Sequence, residues 1–120
     1  MAHHTKELAR DSWREYFDKL SRDLPTVEAT VEIDGRDIGA QVEADNLLLT
    51  GISYDDRDDV LVFALDAPGG PREELEHMVT GPQRIVVDAD TILPSAIEVE
   101  DEDGRQTIVQ LHELPELPAV

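Results

Sequence analysis

The sequence predicts an α+β domain in which an N-terminal amphipathic helix packs on a curved, mostly antiparallel sheet of about seven strands, with a second short helix. Three observations carry this. Apolar residues recur at helical intervals over Trp13, Tyr16, Phe17, Leu20 and Leu24; they alternate with polar residues in most runs after Val27; and turn-forming pairs such as Asp34-Gly35 and Asp103-Gly104 separate the alternating runs. A small, partly open β-barrel flanked by the helix fits the same pattern. With 120 residues, 40% of them apolar, the chain has material for one core. The domain is expected over residues 11–113, between loose ends at 1–10 and 114–120.

Taken in order, Met1 to Arg10 shows no period. Ser12 and Glu15 have the spacing of a capping box at the head of the first helix, which should stop at Pro25. Its aromatic stripe is core material meant to cover the sheet. Val27, Ala29, Val31 and Ile33 alternate with Glu28, Thr30 and Glu32 as a half-buried strand; Asp34-Gly35 supplies a tight turn, and Ile38, Ala40, Val42 and Ala44 alternate on the return. Leu47 to Tyr54 is a third strand, with Gly51 marking a bulge or a close backbone approach. Asp55 to Asp59 form a turn, and Val60 to Leu65 is an uninterrupted apolar strand.

Ala67 to Pro71 breaks the pattern, and Pro71, Glu73 and Glu74 suit the start of a second helix with Leu75, Met78 and Val79 on its apolar face and Gly81-Pro82 at its end. Strands follow at Arg84 to Asp88, Pro94 to Glu100 and Arg105 to His112, the last two joined by a turn at Asp101 to Gly104. The connection from Asp66 to Gln83 is the only one long enough to cross over, so any parallel pair would fall there. Pro115 and Pro118 keep the tail out of any ladder.

Charge is the most unusual property: 28 Asp plus Glu against 10 Lys plus Arg leave a net −18. On a sphere of about 18 Å radius this is a self-energy of roughly 11 kcal/mol at 0.15 M salt and about 5 kcal/mol at 1 M. Eight of the ten cations are Arg, and Asp outnumbers Glu 15 to 13, a balance expected of a halophilic, salt-adapted protein; an acidic protein from a GC-rich genome is the plainer alternative. No basic stripe exists to meet phosphates, so nucleic acid is not an expected partner. Without Cys there is no disulfide, thiolate nucleophile or sulfur-held metal. No run approaches the roughly 18 apolar residues of a membrane helix and no signal-like segment follows Met1, so the expected place is the cytoplasm, with no membrane partner.

Candidate sites are few. Tyr54, Asp55, Asp56, Asp58 and Asp59 bring carboxylates together at one turn, enough to chelate a hard cation or a small ligand if the loop folds inward. A solvated turn is the plainer reading, since the loop lacks the glycine and backbone-carbonyl spacing of a chelating loop. Asp101, Asp103 and Gly104 match three positions of a calcium loop, but Val99 and Gln110 stand where its first and last ligands belong. Glu74 and His77 have the Glu-x-x-His helical spacing of di-metal bundles, which need two such motifs. Ala2-His3-His4 could bind Cu(II) or Ni(II) through a free amine and the His4 imidazole, as any such terminus can. Ser12, Ser21, Ser53, Ser95, His77 and His112 fall in no nucleophile or phosphate-loop frame. No cofactor is expected. Pro115 to Pro118 lacks the basic neighbour of a proline-helix ligand.

Three stretches, Asp37-Ile38-Gly39-Ala40-Gln41-Val42-Glu43-Ala44, Leu49-Thr50-Gly51-Ile52-Ser53-Tyr54-Asp55 and Asp58-Asp59-Val60-Leu61, together with the Trp13 to Asp18 helix and the Asp103-Gly104 strand pair, resemble a family of short bacterial and archaeal proteins catalogued as a domain of unknown function. The resemblance spans about Asp11 to Leu111. It implies a free-standing one-domain protein and transfers no activity or site residue. The leading functional expectation is a non-catalytic protein acting through its surface on a second copy of itself or on another protein, by a strand edge near Gly39 or Gly51. Alternatives are a cation- or ligand-binding module at Tyr54 to Asp59 and an enzyme assembled from dispersed residues such as His77 and His112.

Overall fold

The computed structural model describes residues 5–35, 39–66, 74–88 and 93–114. One eight-stranded sheet, all of its described pairs antiparallel, holds the chain, in the order β1-β6-β7-β8-β2-β3-β4-β5. The strands are β1 (Thr5–Glu7), β2 (Val27–Gly35), β3 (Gly39–Asp55), β4 (Val60–Asp66), β5 (Glu74–Thr80), β6 (Pro82–Asp88), β7 (Ala96–Asp101) and β8 (Gln106–Glu113); the one α-helix among the described residues is α1 (Trp13–Arg22), preceded by a 3-10 turn over Arg10–Ser12. The terminal strands β1 and β5 do not pair, so the sheet is curled but not closed.

Alternation decides the inner face. Val27, Ala29 and Val31 of β2 lie against Val109 and Leu111 of β8, Ile97 and Val99 of β7, Ile85 and Val87 of β6, and Leu61, Phe63 and Leu65 of β4, all buried. Into this trough α1 sets Trp13, Phe17 and Leu20, also buried, each worth roughly 1.5 to 3 kcal/mol of burial. The outer face carries residues such as Glu28, Glu98 and Gln110.

Several local expectations are corrected. The segment read as a second helix is strand β5. Its Leu75, His77 and Val79 alternate along one side, and continuous pairing with β4, from Val60↔Thr80 to Asp66↔Glu74, overrides the helical spacing of Leu75, Met78 and Val79. The strands expected before and after Asp45-Asn46 are one 17-residue strand, β3. These two turn-forming residues make a bulge instead: Asn46 adopts φ 52°, and the Thr30 hydroxyl lies 3.3 Å from Asp45 Oδ1 and 3.4 Å from the Asn46 amide. With β1 and β5 added and two runs fused, the sheet has eight strands and one helix.

Asp34-Gly35 ends β2 rather than forming the turn, since Gly35 pairs with Gly39. Among the described residues of the Asp66 to Gln83 stretch, β5 pairs antiparallel with β4 and no parallel pair occurs. The chain's jump across the sheet falls at Gly81, between β5 and β6, where β5 also approaches β7.

At the helix head the capping box does not form. Ser12 is helical (φ −98°, ψ −8°), and its hydroxyl donates to Ala9 O at 2.7 Å. Thr5–Glu7, in the segment without a period, pair with β6, and Leu8 joins the core.

Gly51 behaves as expected. The register between β3 and β4 slips between Leu49 and Gly51, and the Ser21 hydroxyl of α1 comes close. Past Leu48, β2 no longer flanks β3. There α1 stands in for a strand: Ser21 Oγ donates to Ile52 O at 2.8 Å and accepts from Ile52 N at 2.9 Å.

Candidate functional site

The turn from Tyr54 to Asp59 joins β3 to β4 beside the head of α1. Asp55 Oδ1 accepts from the Arg57 and Asp58 amides at 2.9 and 3.2 Å, the geometry that shapes the turn. Asp59 adopts φ 55°, which a short polar side chain tolerates better than most. Its Oδ1 accepts the Tyr54 hydroxyl at 2.6 Å and faces Arg10 Nη1 at 3.4 Å. Arg10 in turn donates to Pro82 O at 2.9 Å and lies 4.6 Å from the centroid of the Trp13 ring, whose edge meets the Tyr54 ring at 5.2 Å. Asp56 faces Arg14 at 3.5 Å, and Asp58 is exposed.

The five residues singled out from sequence thus share one turn, while the carboxylates of Asp55, Asp56 and Asp59 are directed at different protein groups. Burial, the Asp59 hydrogen bond and the Asp59 charge together push the Tyr54 phenol up to about 12, so it is a donor at neutral pH. Among the described residues no group of three or more His, Asp and Glu side chains is placed to hold a metal ion. Arg10 carries no sequence signal for this site, because 49 residues separate it from Asp59. Ala2-His3-His4 and Pro115 to Pro118 lie outside the described residues.

His77 and His112 do not meet. His77 sits on the inner side of β5 opposite Phe63, its Nε2 buried without a hydrogen-bond partner among the described residues and its pKa lowered by burial, with Glu43 pulling the other way. His112 is exposed on β8 and pairs with Glu28. As β5 is a strand, the helical Glu-x-x-His spacing of this segment does not apply. Asp101 Oδ1 accepts from the Asp103 and Arg105 amides at 2.9 and 3.0 Å, and Gly104 takes φ 79°, so this acidic tip is a hairpin turn. A mainly apolar cleft of about 530 Å³ lies beside α1, lined by Tyr16, Lys19, Leu20, Pro25 and Leu93 among others; burial pushes the Tyr16 phenol up.

The remaining feature is the β5 edge. On one side β5 is fully paired with β4; on the other no described strand pairs with it. Leu75 and Met78, facing opposite sides of the strand, are 46% and 57% exposed. Of the edges expected at Gly39 and Gly51, the Gly51 flank is covered by α1, whereas residues 39–47 of β3 pair with β2 on one side and with no described strand on the other, a second edge that carries Glu43 and Asp45. The alternation of Leu75, His77 and Val79 is the signal in the sequence that points to β5.

The family model of a family of unknown function, DUF5335, matches residues 4–120. The chain belongs to this family. An uncharacterized protein of Aquifex aeolicus (strain VF5) is 35% identical over 114 residues, covering 95% of this chain and 97% of that relative. No solved structure matches. For this DUF5335 member neither the family description nor the relative's name assigns an activity.

Proposed function

We propose that this protein is a non-catalytic interaction module that receives a strand of a partner along the free edge of β5. The state of that edge supports the reading. Proteins guard sheet edges with short strands, Lys, Pro or bulges. The opposite edge, β1, is three residues long and carries Lys6, whereas β5 is seven residues long, has neither Lys nor Pro, and keeps unbroken register with β4. A strand added there would complete backbone hydrogen bonds and cover Leu75 on one face and Met78 on the other. The acidic surface is read as adaptation to a salt-rich cytoplasm; among the described residues no helix is long and apolar enough to cross a membrane.

A photo-crosslinking residue replacing Met78 in the cell tests the reading. A discrete adduct is expected from position 78, lost in a Leu75→Lys background and absent when the crosslinker replaces exposed Lys19 on α1. Equal adducts from both positions would remove β5 as the working surface. Light scattering in molar KCl shows whether a second copy is the partner.

A further inference from the structure

The charge distribution along the sheet restricts what the β5 edge can receive. β3, β4 and β5 contain no Lys or Arg, while they carry Glu43, Asp45, Asp55, Asp66, Glu74 and Glu76. The two cations found within strands, Lys6 of β1 and Arg84 of β6, belong to the neighbouring strands at the opposite end of the sheet. There Arg84 pairs with Glu7. The β5 edge therefore lies at the acidic end of the sheet; beside its residues 77–80 a cleft is lined by Asp101, Asp103 and one cation, Arg105. Pairing it with β5 of a second copy would bring two such flanks together on molecules that each carry −18, and like charges across a strand pair are destabilising.

We propose that the partner of β5 is a cationic strand of a different protein, one in which Lys or Arg alternates with apolar residues. This rests on the reading of β5 as a docking edge. Antiparallel addition places the partner's side chains on both faces at once. On the outer face Glu76 meets a cation, and the next cation two residues along lays its apolar stem over exposed Met78 and its cross-strand neighbour Val62. On the inner side Leu75 offers a second apolar contact, and the polar His77 beside it lies within the field of Glu43. Backbone hydrogen bonds would supply affinity irrespective of sequence, whereas the carboxylates select the sign of the partner's charge.

The test uses the full chain, labelled for amide exchange, and three synthetic nine-residue peptides. The first alternates Lys and Val; the second alternates Glu and Val; the third is the Lys-Val peptide N-methylated on alternate amides, which keeps the charge and cannot complete a ladder. With the Lys-Val peptide, new protection is expected at amides of residues 74–80, with affinity falling about tenfold from 0.05 to 0.5 M KCl as the Debye length shortens. The Glu-Val and N-methylated peptides should bind at least about tenfold more weakly, from lost charge attraction and lost hydrogen bonds respectively. Met78→Lys, at an exposed position, should weaken the Lys-Val peptide without shifting the thermal midpoint.

Equal binding of the N-methylated peptide, or shifts scattered over the whole surface, would reduce the effect to counterion attraction and overturn the proposal. Protection of residues 74–80 by a second copy alone, with a dimer mass in light scattering, would overturn the cationic partner while leaving β5 as a docking edge. No protection at β5 by any peptide or by self-association would overturn both.

Discussion

The Tyr54 hydroxyl donates a 2.6 Å hydrogen bond to Oδ1 of Asp59, the residue that closes the β3–β4 turn in a left-handed backbone conformation. Tyr54→Phe removes the donor while keeping the ring against Trp13, and should cost about 1 to 2 kcal/mol in urea unfolding. The bond also sets a pH dependence. Because the folded phenol ionises at about 12 rather than 10, its contribution is complete below pH 10 and is lost as pH rises toward 12. Tyr54→Phe should flatten that alkaline limb. Asp59→Asn should move the Tyr54 absorbance titration back toward 10, though not all the way, since burial of the ring persists. A Tyr54 titration unmoved by Asp59→Asn would refute the coupling.

Ser21 satisfies both backbone groups of Ile52 where no strand does. Ser21→Ala leaves a part-buried N–H and C=O without their partner, with an expected cost of about 1 to 3 kcal/mol. Amide exchange at Ile52 should accelerate more than at its neighbours on the β4 side. A uniform change across β3 would mean that Ser21 acts through packing rather than through this hydrogen bond.

What is legible in the sequence follows a physical line. Gly51 stands out because a glycine inside a strand weakens it and so tends to mark a bulge or a close backbone approach, but Ser21 is silent because its role depends on where α1 lies. The helix itself is plain from Trp13, Phe17 and Leu20. β5 mimics a helix because seven residues contain too little periodicity to separate helix from strand, and only its pairing with β4 decides between them. Asp45-Asn46 has the composition of a turn, and only the Thr30 hydroxyl opposite makes it a bulge within one strand. At the acidic turn, Asp55 capping its own loop follows from local sequence, whereas the Arg10 and Arg14 contacts come from a helix head more than 40 residues away.

Gly81 carries the chain from one end of the sheet to the other with φ 66°, donating to Asp59 O at 2.8 Å and accepting from Glu102 N at 3.0 Å. A Cβ there would lie 2.8 Å from Glu102 Cδ. Gly81→Ala should cost at least about 1 to 2 kcal/mol from the left-handed backbone alone, by chemical denaturation. Removing the obstruction with Glu102→Ala should recover only the smaller, steric part, because that side chain can swing aside and the backbone cannot. Full rescue by the double variant would show that φ costs nothing at this position.

Salt should raise the stability of the fold. The self-energy of −18 falls by roughly 6 kcal/mol between 0.15 and 1 M salt on the spherical estimate. The unfolded chain also repels itself, so about a third of this, near 2 kcal/mol, is the expected gain in unfolding free energy. Screening depends on ionic strength and only weakly on the identity of a monovalent cation, so NaCl and KCl should superpose in thermal melts. A gain with one of them alone would indicate a bound ion. The gain should also shrink when an exposed carboxylate that forms no described ion pair, such as Asp58, is replaced by Asn. A melting midpoint unchanged from 0.15 to 1 M would mean that the acidic surface imposes no folding penalty that salt relieves, and the reading of that surface as a response to its medium would fail.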